Sequence, residues 1–153
     1  MNISIGADHG GVDLKDSLVE AIREMGHNVL DRGTHGHSSV DYPDFGAAVA
    51  GDVTSGEATF GVLICTTGVG ISISANKVAG IRAALVMNED AAEFSRLHNN
   101  ANVICFGQKY HTPYLAAKMA RTFFDTAFDG GERHLRRVNK INAIEQHIAC
   151  GNG

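Results

Sequence analysis

Apolar residues along the chain fall into short runs separated by longer segments with helical spacing. The short runs predict strands at residues 2–7, 27–31, 60–65, 81–86 and 102–106. After the first strand, apolar residues recur at intervals of four, four and three, as in an amphipathic helix: Leu14, Leu18, Ile22 and Met25. Gly26 is expected to end this helix. Further helices are predicted at about 43–53, 70–78, 89–97, 113–127 and 132–148.

This alternation of strands and helices predicts an α/β domain. Strands joined by helices pair in parallel through right-handed crossovers, so the five predicted strands form a parallel sheet covered on both faces. The 153 residues fit a single domain, 1–153, that is large enough to bury an ordinary core. In such folds, ligands bind in the crevice at the carboxyl ends of the strands. Polar residues at the carboxyl ends of the predicted strands are therefore the candidate site residues.

Composition and charge narrow the class of protein. An apolar content of 44% and a charged content of 20% are typical of a globular chain. The formal charge of −4 argues against a nucleic-acid partner, since phosphate binding needs a concentrated excess of lysine and arginine. Without an apolar run of about 20 residues or a basic leader, we expect no membrane contact and a cytoplasmic location. An odd number of cysteines favours reduced thiols: Cys65, Cys105 and Cys150.

One cysteine stands where chemistry is expected. Cys65 ends the third predicted strand and opens the glycine-rich segment CTTGVGIS, residues 65–72, which leads into a helix. The free N–H groups and partial positive charge of a helix N-terminus favour a thiolate and a developing oxyanion. A plainer interpretation, a buried cysteine followed by a glycine-rich turn, fits the same residue types.

Polar residues stand near the ends of two other predicted strands. Asp8 and His9 follow the first strand, where they would bind sugar hydroxyls or an anion. Alternatively, Asp8 caps the following helix beside a solvated histidine. His98 and Asn99 precede the fifth strand and belong either to a polar site or to a helix C-terminus. Both pairs are expected at or near the rim that carries Cys65.

The last predicted helix carries a basic patch. Arg133, Arg137 and Lys140 share one face because they are spaced at i, i+4 and i+7. Such a face holds a phosphate through its arginines, or it is simply a solvated basic surface. Elsewhere, His35 and His37 lack a third candidate ligand, so no metal site is predicted.

Several familiar motifs fail at single positions. A Walker loop needs lysine and then a hydroxyl residue after its last glycine, but Gly70 is followed by Ile71. The dinucleotide fingerprint needs a third glycine where Ile73 stands. A cysteine-based phosphatase with an arginine six residues after its nucleophile is excluded by Ile71 as well. These failures argue against a nucleoside triphosphatase, a dinucleotide enzyme and a phosphatase.

Seven short motifs follow one another in a specific order and spacing. They are DHGG at 8–11, DYP at 41–43, CTTGVGIS at 65–72, ANK at 75–77, GIRA at 80–83, HN at 98–99 with Asn102, and RH at 133–134 with Arg137. Together they resemble type B ribose-5-phosphate isomerase and the wider family that includes galactose-6-phosphate and allose-6-phosphate isomerases. The resemblance implies a three-layer α/β/α sandwich, Rossmann-like or flavodoxin-like. It also implies a homodimer or dimer of dimers with active sites shared between subunits.

By this resemblance the chain is an aldose–ketose isomerase without a metal or organic cofactor. It would interconvert D-ribose 5-phosphate and D-ribulose 5-phosphate through a cis-enediolate, in the non-oxidative pentose phosphate pathway. Cys65 would be the base that moves a proton between C2 and C1, and Thr67 would assist proton movement between the substrate oxygens. An anion hole for the enediolate would come from five backbone N–H groups, those of Gly68, Val69, Gly70, Ile71 and Ser72.

The resemblance also assigns residues to substrate binding. Asp8 and His98 would serve ring opening and hydroxyl binding, and Tyr42 and Asn99 would line the pocket. The phosphate would be held by His9, Arg133 and Arg137. His98 would come from the neighbouring subunit, and some of the phosphate-binding groups would also cross the dimer interface. The helix at about 132–148 would contribute to dimer contacts or phosphate binding.

Two positions depart from the usual pattern of this family. Thr66 stands where glycine is common, which bears on the shape of the turn beside Cys65 rather than on the reaction class. Lys109 stands where relatives often carry arginine, and it is left out of the predicted site. Cys150, in the C-terminal tail, is interpreted as an incidental exposed thiol.

Two other functions remain open from the sequence. A hexose 6-phosphate isomerase of the same family, acting on allose or galactose phosphate, would use the same chemistry, because one additional carbon changes only the fit. A non-catalytic module of flavodoxin-like fold would hold a sugar phosphate or a nucleotide without using the Cys65 thiol.

Overall fold

The computed structural model describes residues 1–150, with side chains described through residue 145. The interpretation of Cys150 as an exposed thiol lies outside the described side chains. Strands and helices alternate along this range. The strands are β1 (Asn2–Ala7), β2 (Asn28–Asp31), β3 (Phe60–Cys65), β4 (Ala83–Leu85) and β5 (Val103–Gly107). The helices are α1 (Val12–Glu24), α2 (Tyr42–Ser55), α3 (Val69–Ala75), α4 (Glu89–Leu97), α5 (Pro113–Asp125) and α6 (Glu132–Cys150). No helix within the described range is both long enough and apolar enough to cross a membrane.

The strands form one parallel sheet with the order β2-β1-β3-β5-β4. The central strand is β3. Its last residue, Cys65, is in register with Gly107 of β5, and Ile64 is in register with Ala7 of β1. The carboxyl ends of β1, β3 and β5 therefore lie side by side along one end of the sheet, which we call the carboxyl edge. The amino ends of the strands lie along the opposite end, which we call the amino edge. The predicted five-stranded parallel sheet is confirmed.

The sheet separates two apolar cores. Alternate residues of β3 point to opposite faces, so Ile64 packs in one cluster with Leu18 of α1 and with residues of α5. Leu63 packs in the other cluster, with Val49 of α2 and Ile71 of α3. Helices thus cover both faces of the sheet, which is the predicted three-layer α/β/α arrangement.

The edge strand β4 is shorter than its apolar run suggests. A strand is expected over residues 81–86, but the ladder begins only at Ala83. The reason lies in the hydrogen bonds of the two preceding residues. Ile81 N–H donates to the Val78 carbonyl within a turn, and Arg82 N–H donates to the side-chain oxygen of Asn102 at 2.8 Å. These two N–H groups are therefore engaged outside the sheet.

A single side chain occupies the free edge of β4. The Asn76 amide nitrogen donates to the Ala83 carbonyl at 2.9 Å, and its oxygen accepts from Ala83 N–H at 2.8 Å. Asn76 directly follows α3, so these two hydrogen bonds also fix the C-terminal end of that helix. The helix that starts at the glycine-rich segment is thereby anchored at its far end.

A buried carboxylate ties α2 to the sheet. Asp52 of α2 accepts hydrogen bonds from Ser4 Oγ at 2.5 Å and from Arg32 Nε and Nη2 at 2.7 and 2.8 Å. Burial disfavours the charged carboxylate, but the hydrogen bonds from Arg32 and Ser4 outweigh it, so the pKa of Asp52 lies below its usual value. The network fixes the helix that begins with Tyr42.

Candidate active site

The Cys65 thiol is held in a defined position at the carboxyl edge. The residue is 5% exposed and belongs to the core cluster under α3. Its sulfur accepts a hydrogen bond from Gly68 N–H at 3.1 Å, because Gly68, at φ +78°, turns the chain back over it. A backbone donor aimed at sulfur stabilises negative charge there. The cysteine is thus both buried and placed to act as an anionic acceptor.

The first turn of α3 has two backbone donors to spare. Val69 N–H approaches Thr67 Oγ1 at 3.4 Å, and Ser72 N–H donates to the Gly68 carbonyl at 3.2 Å. By contrast, the N–H groups of Gly70 and Ile71 have no acceptor within the described chain, and no side chain there caps the helix. Of the five N–H groups expected to form an anion hole, these two are available to a ligand.

The turn around Cys65 packs closely on its neighbours, and Thr66 takes part in this packing. A Cβ added to Gly10 would stand 2.1 Å from Thr66 Oγ1, so the threonine side chain lies directly on the glycine backbone. The Thr66 carbonyl accepts from Lys109 N–H at 3.0 Å. Lys109 therefore follows β5 at the carboxyl edge beside the thiol turn, although sequence reasoning left it out of the site.

Asp8 and His9 lie at the carboxyl end of β1. Asp8 Oδ1 accepts from Gly10 N–H at 2.9 Å, and the residue is 5% exposed. The interpretation of Asp8 as a helix cap is wrong, since α1 begins after Gly11 and the aspartate instead forms a tight turn ahead of it. His9 Nδ1 accepts from Val40 N–H at 3.2 Å, which leaves Nε2 as the proton-bearing nitrogen of the neutral ring.

Tyr42 reaches the same edge from α2. A Cβ added to Gly70 would stand 2.7–3.0 Å from the Tyr42 ring, so the ring lies over the glycine in the first turn of α3. The tyrosine is 39% exposed. The structure therefore gathers five of the predicted side chains at the carboxyl edge: Asp8, His9, Tyr42, Cys65 and Thr67.

The other predicted side chains lie at the amino edge. A helix that precedes a parallel strand ends beside the amino end of that strand, and His98 ends α4 just before β5. Since Val103 is in register with Gly61 and Gly107 with Cys65, β5 alone accounts for about 13 Å between the two edges. The expectation that His98 and Asn99 share a rim with Cys65 is wrong within one chain.

The helix α6 follows the amino edge as well. Before it begins, Asp129 N–H donates to the Leu97 carbonyl at the end of α4. Further along, Asn142 Oδ1 accepts from Arg82 Nη1 at 3.3 Å, next to the start of β4. Two exposed basic residues on this helix were predicted to hold phosphate, Arg133 and Arg137. They therefore lie at the amino edge, whereas His9 lies at the carboxyl edge.

His98 sits in an aromatic stack that the sequence did not predict. Its ring lies 4.9 Å from the Phe94 ring and 4.2 Å from the His134 ring, nearly parallel to both. Arg133 Nη2 lies 3.3 Å from His134 Nε2. His134 belongs to the RH motif at 133–134, but the sequence predicted no role for it. Its one sequence signal is its place beside Arg133.

A cavity of about 690 Å³ opens next to these residues. It lies between the C-terminal end of α3, β4 and α6, and Asn99 is in its wall. Its apolar wall includes Ile81, Ile141 and Ile144. Arg82 also lines it, and burial lowers the pKa of that guanidinium, partly offset by the charge of Glu145. The cavity is at the amino edge, away from the thiol.

Alanine at position 68 is expected to destabilise the protein and distort the thiol turn. Gly68 has φ +78°, and a Cβ there would stand 2.5 Å from Leu85 Cδ1 and 2.8 Å from the Phe106 backbone. Gly68→Ala should cost at least about 2 kcal/mol in the free energy of unfolding, measured by urea denaturation. Gly26→Ala is a matched control, since Gly26 has φ +87° and open space around it. Its expected cost is about 1 kcal/mol, and equal costs for the two variants would contradict the close packing.

Known proteins share both the sequence and the fold. A profile of the Ribose/Galactose Isomerase family matches residues 3–141. The chain is 44% identical over 144 residues to ribose-5-phosphate isomerase B of Escherichia coli, covering 94% of this chain and 96% of that protein. It is 51% identical over 144 residues to galactose-6-phosphate isomerase subunit LacB of Clostridium acetobutylicum, covering 94% of this chain and 83% of that subunit.

Solved structures agree with this. The structure of Clostridium thermocellum ribose-5-phosphate isomerase B superposes with a TM-score of 0.94 at 49% identity, over 97% of this chain and 99% of that one. The type B enzyme of Trypanosoma brucei superposes with a TM-score of 0.91 at 42% identity, over 94% of this chain and 97% of that one. The family profile and the superposed structures show that the chain belongs to the ribose/galactose isomerase family.

Proposed function

We propose that this protein interconverts D-ribose 5-phosphate and D-ribulose 5-phosphate, with Cys65 as the proton-transfer base. The observation that carries the proposal is the sulfur at the carboxyl edge, which accepts from Gly68 N–H at 3.1 Å. Such a thiol is positioned as a base, and the spare donors of α3 stand beside it. Ribose-5-phosphate isomerase B of Escherichia coli and the Clostridium thermocellum structure supply the substrate class.

The proposed reaction is a proton transfer between neighbouring carbons. The Cys65 thiolate takes the proton from C2 of the open-chain aldose, and the electron pair moves to the aldehyde oxygen to give a cis-enediolate. The N–H groups of Gly70 and Ile71 stabilise the charge on that oxygen. Thr67 assists proton movement from O2 to O1, and Cys65 returns a proton to C1. Aldose and ketose have the same overall oxidation state, so these groups complete the reaction without an external oxidant or cofactor.

The proposed site is shared between two subunits. The phosphate grip combines His9 at the carboxyl edge with Arg133 and Arg137 at the amino edge, and one chain does not bring these edges together. A neighbouring subunit that lays its α4 and α6 across the carboxyl edge would complete the site with His98 and Asn99. Its apolar surface suits such a contact, since four residues of these helices are 39–60% exposed: Phe94, Leu135, Ile141 and Ile144.

A hexose 6-phosphate is the second candidate substrate. The observation in its favour is the 51% identity to a galactose-6-phosphate isomerase subunit. Both substrates undergo the same proton transfer, so only the space around the additional carbon separates them. The ratio of kcat/KM values for ribose 5-phosphate, allose 6-phosphate and galactose 6-phosphate decides between them.

The direct test is product formation in heavy water. Incubated with ribose 5-phosphate, the protein should form ribulose 5-phosphate, and deuterium should enter C1 to the extent that the thiol proton exchanges with solvent. NMR measures both. Ketose formed only from a hexose phosphate would overturn the pentose assignment. No ketose from any of the three aldose phosphates would leave a binding module as the function.

A further inference from the structure

Three side chains converge at the amino edge, and the proposed isomerase reaction uses only one of them, His98. His98, Asp129 and His134 each present one ligand atom, and these atoms lie within 4.8 Å of one another. Asp129 Oδ2 lies 3.7 Å from His134 Nε2. Two imidazoles and a carboxylate are the ligands that zinc and related divalent metals prefer.

Backbone hydrogen bonds hold Asp129 beside the end of α4. Asp129 N–H donates to the Leu97 carbonyl at 3.2 Å, which joins the loop before α6 to the end of α4. Asp129 Oδ1 accepts from Gly131 N–H at 2.8 Å, so the other carboxylate oxygen is the one nearest His134. The His98 ring stacks on the rings of Phe94 and His134. The Asp129 carboxylate is thus held next to the two imidazoles.

His134 Nε2 lies close to both a guanidinium and a carboxylate. Arg133 Nη2 lies 3.3 Å from His134 Nε2, and a guanidinium has only donors. In the tautomer protonated at Nδ1, Nε2 accepts from Arg133 and carries the lone pair that binds a metal. A carboxylate oxygen lies 3.7 Å away from the same nitrogen. Two acceptor atoms this close together favour a cation near both. That cation is either the guanidinium of the exposed Arg133 side chain or a bound metal ion.

We propose that His98, Asp129 and His134 form a binding site for a divalent transition metal, with Zn²⁺ as the best fit, and that the metal inhibits the enzyme. Tetrahedral zinc places its ligand atoms about 3.4 Å apart, so the Asp129–His134 pair needs almost no movement. The His98 and His134 rings are stacked nearly parallel, so their in-plane lone pairs do not meet at one point as they stand. His98, whose ligand atom lies within 4.8 Å of the other two, reaches the metal by turning its ring out of this stack. The fourth position is left to water or to a substrate oxygen.

The inhibition rests on the proposed function. Bound metal occupies the imidazole of His98, which is assigned to ring opening, and it displaces Arg133, which is assigned to the phosphate. Metal and sugar phosphate therefore compete for the same residues. The three proposed ligands lie far apart in the sequence. They were therefore not recognised there, where only His35 and His37 were considered as metal ligands and no metal site was predicted.

The test is a titration of the full-length protein with Co²⁺ and Zn²⁺, with Co²⁺ followed by its absorption spectrum and Zn²⁺ by calorimetry. One metal per chain should bind, and the Co²⁺ spectrum should lack a thiolate charge-transfer band. Asp129→Asn should weaken binding at least about 10-fold, and His134→Gln should do the same. Asp125→Asn is the matched control, because it removes another exposed carboxylate, at the end of α5, and should leave the affinity unchanged.

Activity gives the second readout. Zn²⁺ should inhibit the wild-type protein reversibly, chelation should restore the rate, and the inhibiting concentration should rise at least about 10-fold in Asp129→Asn. The site is overturned if neither ligand variant weakens binding, if no metal binds, or if a thiolate band appears and disappears with Cys65→Ala. The inhibition is overturned if Asp129→Asn is as sensitive as wild type. A protein without isomerase activity would overturn the proposed function, while the titration would still decide whether the metal binds.

Discussion

Replacing Cys65 with alanine is expected to lower kcat for ketose formation about 10²–10⁴-fold, with little change in substrate affinity. The variant loses the group that takes the C2 proton, but it keeps the spare N–H groups of Gly70 and Ile71. Because the residue is 5% exposed and small, alanine leaves the turn and the core largely intact. Initial rates over a range of substrate concentrations separate kcat from KM, and circular dichroism checks the fold.

The second described cysteine is the control for this substitution. Cys105 is fully buried on β5, where it is in register with Leu63. Burial, together with the nearby Cys65, raises the pKa of the Cys105 thiol far above its usual value, so it stays neutral. Cys105→Ala should cost about 1 kcal/mol in stability and keep the wild-type kcat. If Cys65→Ala also kept it, Cys65 would not be the base.

Mixing two inactive variants is expected to restore about a quarter of the wild-type activity. Subunits with Cys65→Ala and subunits with His98→Gln are unfolded, combined in equal amounts and refolded. Random pairing makes half of the dimers mixed. If the site takes Cys65 from one subunit and His98 from the other, each mixed dimer has one intact site and one doubly defective site. Refolded wild-type protein provides the reference rate.

A pair of variants from one half of the site is the matched control for mixing. Cys65 and Thr67 lie at the carboxyl edge of the same chain, so a mixed dimer of Cys65→Ala and Thr67→Ala has a defect in both sites. This mixture should stay inactive. Recovery only in the mixture with His98→Gln supports a shared site. No recovery there, with mixed dimers verified by differential tagging, would contradict the shared site.

Local signals explain why much of the fold was predictable from sequence. The predicted boundaries of β3 and α4 agree with the structure. β3 is fully buried, and α4 starts after Asn88, whose side chain accepts from Ala91 N–H at 2.8 Å. β4 was less predictable because side chains distant in sequence, such as Asn102, bind the backbone of its approach.

The candidate site was predictable only in part. Residues at the end of a strand or just after it, such as Cys65 and Asp8, were correctly expected at one rim, because parallel strands share a carboxyl edge. His98 was misplaced because it precedes its strand rather than following it. The approach of Asp129 to His98 was not predictable, because it depends on a loop that hydrogen-bonds to the end of α4. Spacing along the chain carries no information about that contact.

The double hydrogen bond of Asn76 has a consequence for how this protein associates with other molecules. An unpaired edge strand is a template for strand addition, and therefore for aggregation. At Ala83, the first residue of β4, that template is blocked, because its N–H and carbonyl are both bound by one amide. Growth of the sheet from one subunit into the next is thus disfavoured on this side. In the shared dimer proposed above, subunits would therefore meet through side chains of α4 and α6 rather than through β4.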